Sequence, residues 1–134
     1  LAQVLKLANN ILFATSLAVT SEALAMGVKA GLEPDIMLEA IQAGTGRNAA
    51  TDLVIPENVL SRSFDFGATI EILLKDVNLA LEEGENQGVP QFVCQQTRQM
   101  LLLAAHKGWR QKDLSEWSKL VEEWAGVKIS SSSN

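Results

Sequence analysis

A chain of 134 residues is long enough for one domain with a substantial core and too short for two ordinary domains. Hydrophobic residues make up 47% of it but aromatic residues only 5%, which favours an aliphatic core of packed helices. The formal net charge is −5 and no basic stripe occurs, so neither nucleic acid nor an anionic membrane surface is expected as a partner. With one Cys and one His, we expect no protein-only zinc site and no internal disulfide, as in a reducing, cytoplasmic compartment.

Helical periodicity, Gly and Pro breaks and cap residues predict an all-α bundle of six or seven helices around two long ones. No segment alternates with period two, so no sheet is expected, and no window is expected to be apolar enough to span a membrane. Pro56 is expected to end or kink the third helix, and the stretch 57–63 has no clear assignment. The expected helices cover residues from near the start to 29, 33–43, 47–54, 67 or 68 to 87, 90–107 and 113–125.

The two ends of the chain carry their own expectations. The first residue falls within the first predicted helix, which predicts a piece of a longer polypeptide. The folded domain is expected to cover 1–129, and the Ser-rich end 130–134 is expected to be a disordered tail.

Lys6 is the most informative single residue, because it is a lone cation in a segment that otherwise has the composition of a core helix. At helical spacing it shares one face with Asn10, Phe13 and Leu17. Burial of a Lys favours its neutral form, which accepts a proton, so Lys6 is a candidate acid–base residue. The alternative is a structural lysine at a helix start, with its stem packed and its head in water.

Three further places are candidates for chemistry. Gly44-Thr45-Gly46-Arg47-Asn48 precedes a helix N-terminus, where anions can bind, although its composition favours a plain corner between helices. Lys75 lies four residues after Glu71, a spacing that favours a structural ion pair. His106 lies in the last turn of a helix, where a cation suits the helix dipole. The three Trp residues are expected to anchor the last helix: Trp109, Trp117 and Trp124.

The segment Lys6-Leu7-Ala8-Asn9-Asn10 resembles the K-x-x-N-N motif of the β-hydroxyacid dehydrogenases, the family of 3-hydroxyisobutyrate dehydrogenase and tartronate semialdehyde reductase. Further segments agree with that family in order and spacing over positions 4 to 126. They are Ser21-Glu22-Ala23-Leu24 with Gly31-Leu32, then Gly44-Thr45-Gly46-Arg47-Asn48, Leu74-Lys75-Asp76-Val77-Asn78-Leu79-Ala80, Gly88-Val89-Pro90 and Asp113-Leu114-Ser115.

The resemblance implies a fold and a set of roles. It implies the helical C-terminal domain of 6-phosphogluconate dehydrogenase-like enzymes, without the Rossmann domain that precedes it in the family. Lys6 is implied to be the catalytic residue, Asn10 to bind the substrate and Lys75 to reach the cofactor, NAD or NADP. Asn9 is expected to support helix packing. Where the family often carries Phe, this chain has Ala68, so the aromatic contact is either lost or supplied by Phe66.

The implied activity is oxidation of a small β-hydroxy acid to its semialdehyde, or the reverse, in a homo-oligomer. The chain alone is expected to be inactive without its Rossmann domain. Two alternatives stay open: a helical oligomerisation module without chemistry, and a relative of the imine reductases. The retained Lys6 argues against the latter, because those enzymes tend to replace the lysine.

Overall fold

The computed structural model describes residues 1–131, and over this range the chain is helical, with no strand. A single antiparallel bridge joins Thr69 to Asp113. The expected all-α bundle is confirmed. Five α-helices, one π-helix and one 3-10 turn follow in the order α1 (Ala2–Lys29), α2 (Pro34–Gln42), the π-helix (Ala50–Val59), α3 (Ile70–Asn86), α4 (Phe92–His106), the 3-10 turn (Leu114–Trp117) and α5 (Ser118–Ala125).

Helix α1 runs through the centre of the bundle and packs against α3, α4 and α5. Its small and aliphatic residues, among them Ala14, Leu17 and Leu24, are fully buried there. By length and composition α1 could also cross a membrane, so the expectation that no segment reaches this threshold is wrong. Within the bundle, 44% of its most apolar window is buried.

Helices α3 and α4 begin later than the sequence predicts. Gly67 has φ of +107° and Thr69 is extended, so neither can belong to an α-helix. The Thr69 hydroxyl accepts a hydrogen bond from the Ile72 N–H and caps α3, which therefore starts at Ile70. Similarly, Gln91 is non-helical, and α4 starts after it rather than at Pro90.

The π-helix corrects the prediction that the third helix ends near residue 54. It continues through Pro56 to Val59, and the Leu60 N–H bonds to the Ile55 carbonyl, five residues back. Pro56 costs one backbone hydrogen bond, but burial of Val54, Ile55 and Val59 holds the segment helical. Packing against the bundle thus outweighs the local breaker.

The C-terminal part of the chain departs from the expectations in two ways. Trp117 is buried and its indole N–H donates to the Met100 carbonyl at 3.2 Å, whereas Trp124 is 57% exposed and lines an open groove with Met26 of α1. The expected tail is also wrong at its start, because the Ser131 N–H bonds to the Leu60 carbonyl at 3.0 Å. Residues 132–134 of that expected tail lie outside the described residues.

Candidate functional site

The first three turns of α1 place Lys6, Asn10 and Phe13 on one face, as the sequence predicts. Burial increases along this face: Lys6 is exposed, Asn10 and Phe13 are half-buried, and Leu17 is fully buried. The Lys6 ammonium makes no ion pair or hydrogen bond within residues 1–131. The lysine therefore contributes a free cation at the open end of a face that is otherwise packed.

Asn10 is oriented by a neighbour on α3 that the sequence does not reveal. Its side-chain amide nitrogen donates to the Asp76 carboxylate at 3.3 Å. Because the amide N–H₂ faces Asp76, the Asn10 carbonyl oxygen is left as an acceptor for a donor outside the chain. The bond also joins the Lys6 face to the Lys75-Asp76 pair, which lies 66 residues away in sequence.

Phe13 is stacked on Phe66, which precedes α3. Their ring centroids are 5.8 Å apart with an interplanar angle of 29°. Phe66 therefore supplies an aromatic ring beside the Lys6 face. By the resemblance, the family often carries Phe where this chain has Ala68, and Phe66 provides a ring near that position. Offset rings at this distance attract each other by about 0.5–1.5 kcal/mol beyond their buried area.

The loop 61–69 that carries Phe66 is held at its end by Asp113. The Asp113 carboxylate accepts hydrogen bonds from the Gly67 N–H at 2.9 Å, the Ser115 N–H at 3.0 Å and the Ser115 hydroxyl. Partial burial raises the pKa of Asp113, but the hydrogen bonds from Ser115, Gly67 and Phe66 together lower it further, and the pKa is below its usual 3.8. Asp113 is thus an ionised brace for the loop.

The beginning of the same loop is held by a partly buried ion pair. Arg62 donates through two nitrogens to the Glu122 carboxylate at 2.5 and 3.0 Å. Glu122 is only 6% exposed and also accepts the Ile129 N–H at 2.8 Å. Asn58, also buried, accepts the Asp65 N–H at 3.1 Å. The loop is therefore tied to three separate parts of the bundle.

Lys75 is exposed on α3 at the edge of a cleft that α3 and α4 line together. The Glu71–Lys75 ion pair that the spacing allows does not form, since Glu71 instead pairs with Arg110 at 3.0 Å. Arg98 in the same cleft donates to the Asn78 side chain at 2.6 Å. Of the three cations that line this cleft, Lys75 is the one without a protein partner in the described part of the chain.

The Gly44–Asn48 segment is a capped corner between helices. The Asn48 side-chain oxygen accepts the N–H groups of Ala50 at 2.8 Å and Thr51 at 3.2 Å. An anion at this helix N-terminus would need the same two N–H groups, which are already bonded. We therefore interpret the segment as a structural corner between helices. The Asn48 amide also donates to the Thr20 hydroxyl at 3.2 Å and ties the corner to α1.

Two other sequence candidates gain no partner. His106 is exposed in the last turn of α4, as a structural role at the helix end predicts. Asn9 is exposed and its side chain makes no hydrogen bond within residues 1–131, so the expectation that it supports packing inside the chain is wrong. The described residues contain no cluster of three or more His, Cys, Asp or Glu that could hold a metal ion.

Comparison with known proteins identifies the family. The family model described as NAD-binding of NADP-dependent 3-hydroxyisobutyrate dehydrogenase matches residues 1–121. The chain belongs to this family. The resemblance drawn from the K-x-x-N-N segment and the ordered motifs is thereby confirmed.

Individual members of the family agree over most of the chain. The 2-(hydroxymethyl)glutarate dehydrogenase of Eubacterium barkeri is 33% identical over 93% of this chain and 42% of its own length. The 3-hydroxyisobutyrate dehydrogenase of Pseudomonas aeruginosa is 36% identical over 62% of this chain and 30% of its own length. The chain therefore spans less than half the length of these curated relatives.

A solved member of the family shows the same fold. The crystal structure of 3-hydroxyisobutyrate dehydrogenase from Salmonella typhimurium superposes with a TM-score of 0.71 at 20% identity, covering 87% of this chain and 40% of that one. The all-helical architecture is thus that of the corresponding part of a dehydrogenase.

Sequence reasoning missed the residues that organise the site. The sequence places Asp76 beside Lys75 without revealing its partner Asn10, and the Phe13–Phe66 stack joins parts of the chain too distant for helical spacing to connect. Asp113 did leave a signal. An acid three residues before Glu116 is an N-cap pattern, and its side chain does cap the 3-10 turn by accepting from Ser115.

Proposed function

We propose that this chain is the helical C-terminal domain of a nicotinamide-dependent dehydrogenase that oxidises a small β-hydroxy acid to its semialdehyde, or catalyses the reverse. A Rossmann domain preceding the chain would supply the rest of the active site. The observation that carries the proposal is the free Lys6 ammonium beside Asn10, on a face closed by the Phe13–Phe66 stack. An unpaired cation on a face that is open at one end is expected where a second domain completes the active site.

In this proposal Lys6 moves the proton of the substrate's β-hydroxyl. As its neutral amine it accepts that proton while the carbon-bound hydrogen departs as hydride, and in the reverse direction its ammonium returns the proton. The absence of any protein partner for Lys6 within residues 1–131 supports the role, because a lysine already held by a carboxylate would have to break that bond first. Positioned acid–base groups contribute about 10²–10⁴-fold in rate.

Asn10 holds the substrate in place. The Asp76 carboxylate engages its amide N–H₂, so the Asn10 carbonyl oxygen is directed to accept a hydrogen bond from the substrate hydroxyl. Such a bond fixes the hydroxyl one helical turn from Lys6, within reach for proton transfer.

Lys75 is proposed to contact the cofactor, NAD or NADP. The fit is one of charge: a dinucleotide carries two phosphates, and Lys75 is an exposed cation without a partner carboxylate in the described residues. When bound, the nicotinamide supplies the hydride acceptor or donor. The residues of this chain bind and orient the ligands around it and close the site against water.

The test uses the protein that carries this chain together with its Rossmann domain. We expect Lys6→Ala to lower kcat for 3-hydroxyisobutyrate about 10²–10⁴-fold without unfolding the protein. Lys128→Ala, at another exposed lysine far along the chain, is the matched control and should keep the rate. A Lys6→Ala protein that folds and keeps its rate would contradict the proposed catalytic role.

The chain alone should show no turnover with hydroxy acids and NAD⁺ or NADP⁺, and measurable turnover would contradict the need for a second domain.

An oligomerisation module, with or without chemistry, remains the second candidate, and a specific observation supports self-association. Helix α1 leaves a row of large apolar side chains exposed: Leu5, Leu12, Val19 and Met26. We propose that the domain self-associates through this row in addition to its part in catalysis.

A cytoplasmic location is proposed as well, on the ground that the single cysteine Cys94 is a free thiol.

A further inference from the structure

The face that begins at Lys6 changes from polar to apolar along α1. Lys6 is exposed, Asn10 and Phe13 are half-buried, and Leu17 is fully buried. At 1.5 Å per residue, Phe13 lies about 4.5 Å beyond Asn10 and about 10 Å beyond Lys6 along the helix axis. The groups that would handle a substrate hydroxyl therefore lie at one end of the face, and an aromatic ring lies just beyond them.

Phe66 adds a second ring to this apolar end, and its position is fixed by the loop 61–69. Its ring stacks on Phe13 with the centroids 5.8 Å apart. The backbone N–H groups of the residues before and after Phe66 donate to the side chains of Asn58 and Asp113, at 3.1 and 2.9 Å. Phe66 is nevertheless 38% exposed. A ring that is held in place but left partly uncovered is preorganised to contact a ligand.

The two rings of Phe13 and Phe66, here called the aromatic wall, carry no hydrogen-bonding group. A hydroxyl placed against the wall loses its bonds to water and gains none, whereas an alkyl group gains apolar contact. A second carboxylate on the substrate is disfavoured for a further reason, since the Asp76 carboxylate lies beside Asn10 at 3.3 Å. The wall therefore favours an uncharged alkyl group.

An ammonium group is the strongest competitor for this place. It is attracted by the Asp76 charge and by the faces of aromatic rings. However, one face of each ring is already used in the Phe13–Phe66 stack, and the Asp76 carboxylate is already bonded to the Asn10 amide. In a site closed by a second domain, an ammonium loses its hydration without a free acceptor on the wall. An alkyl group has no such cost.

We propose that the aromatic wall selects the substituent on the substrate carbon between the carboxylate and the hydroxymethyl group, an inference that rests on the proposed function. With the hydroxyl held at Lys6 and Asn10, that substituent lies three bonds away, which matches the rise of about 4.5 Å from Asn10 to Phe13. The preferred substrates are 3-hydroxy acids that carry a small alkyl group on this carbon. Acids with hydrogen, hydroxyl, ammonium or a second carboxylate there are poorer substrates.

The test compares four acids in the protein that carries this chain with its Rossmann domain. 3-Hydroxypropionate, 3-hydroxyisobutyrate, glycerate and serine differ at this carbon in carrying only hydrogen, a methyl, a hydroxyl or an ammonium group. We expect kcat/KM for the faster enantiomer of 3-hydroxyisobutyrate to exceed that of each other acid at least about 10-fold. This is the lower end of what one carbon contributes to discrimination in an apolar pocket.

Variants of Phe66 assign the selection to the wall. Phe66→Ala should lower the ratio of kcat/KM for 3-hydroxyisobutyrate over 3-hydroxypropionate about 4-fold, the value of one buried methylene group. Phe66→Leu restores an apolar side chain and should recover most of the ratio. Phe92→Leu is the matched control: Phe92 is 84% exposed at the start of α4, and its replacement should leave every ratio unchanged. Because both substrates meet the same protein, a general loss of activity cancels from the ratio.

An unchanged ratio in Phe66→Ala would overturn selection by the wall and leave the proposed function in place. A wild-type preference for serine, glycerate or 3-hydroxypropionate would overturn it too, and this comparison decides even where Phe66→Ala does not fold. Wild-type protein that oxidises none of the four acids would instead remove the proposed function, and this inference with it. Circular dichroism of each variant separates a changed ratio from unfolding.

Discussion

The loop 61–69 and the Lys6 face meet at the Phe13–Phe66 stack. They differ in their charged residues, which have protein partners at the loop and none among the described residues for the lysines. Along the loop, Arg62 is paired with Glu122, and Asp113 is satisfied by Gly67 and Ser115. On the Lys6 face and the adjoining turn of α3, the two lysines have no partner within residues 1–131. The loop's charges therefore serve stability, and we propose that the lysines act on groups outside the chain.

The largest effect should come from breaking the ion pair that starts the loop. Arg62→Ala leaves the Glu122 carboxylate buried and without its cation, which should lower the free energy of unfolding by about 3 kcal/mol. Chemical denaturation measures this. Lys107→Ala is the matched control, because its pair with Glu123 is exposed on both sides and should contribute less than about 1 kcal/mol. Equal losses in the two variants would show that burial does not distinguish the pairs.

Asp113→Ala should come next, with a loss of about 2 kcal/mol, because it removes the charged acceptor of the Gly67 and Ser115 hydrogen bonds. The effect should depend on pH. The pKa of Asp113 is lower in the folded chain than its usual 3.8, so its contribution is present above that value and is lost as pH falls through the folded pKa.

Asp113→Asn tests that sign. The difference in unfolding free energy between wild type and Asp113→Asn should be constant near neutrality and shrink below about pH 4. A difference in unfolding free energy that grows on acidification would contradict the conclusion that ionised Asp113 stabilises the loop.

The stack that joins the two regions should contribute less. A double-mutant cycle of Phe13→Leu and Phe66→Leu should give a coupling of about 0.5–1.5 kcal/mol. Pairing Phe13→Leu with Phe64→Leu is the control, because Phe64 packs against Arg62 and Lys119 instead. A coupling energy near zero between Phe13 and Phe66 would show that this stack does not link the stability of the loop 61–69 to that of the Lys6 face.

Local signals predicted much of the fold. Gly31, Gly88 and Gly108 mark where helices end, and the apolar character of α1 predicted that several other helices contact it. The Lys6–Asn10–Phe13 face followed from helical spacing alone. These features depend on residues a few positions apart, which a single sequence displays directly.

What escaped prediction depends on contacts between distant segments. The helix through Pro56 is held by burial of its neighbours, and the bonds from Asn10 to Asp76 and from Gly67 to Asp113 span 66 and 46 residues. The exposure of Trp124 likewise depends on where α5 lies on α1. No local pattern specifies which of several carboxylates a given side chain meets, so these partners emerged only from the folded chain.

We propose that Lys6 has no partner within residues 1–131 because it acts on a group outside the chain. Measuring both unfolding free energy and kcat for Lys6→Ala and Asp113→Ala, in the protein with its Rossmann domain, tests this directly. We predict that Lys6→Ala changes stability by less than about 0.5 kcal/mol but lowers kcat at least about 100-fold. Asp113→Ala should instead lose about 2 kcal/mol of stability. A Lys6→Ala protein that loses stability and keeps its rate would show that Lys6 is a structural residue and not a catalytic one.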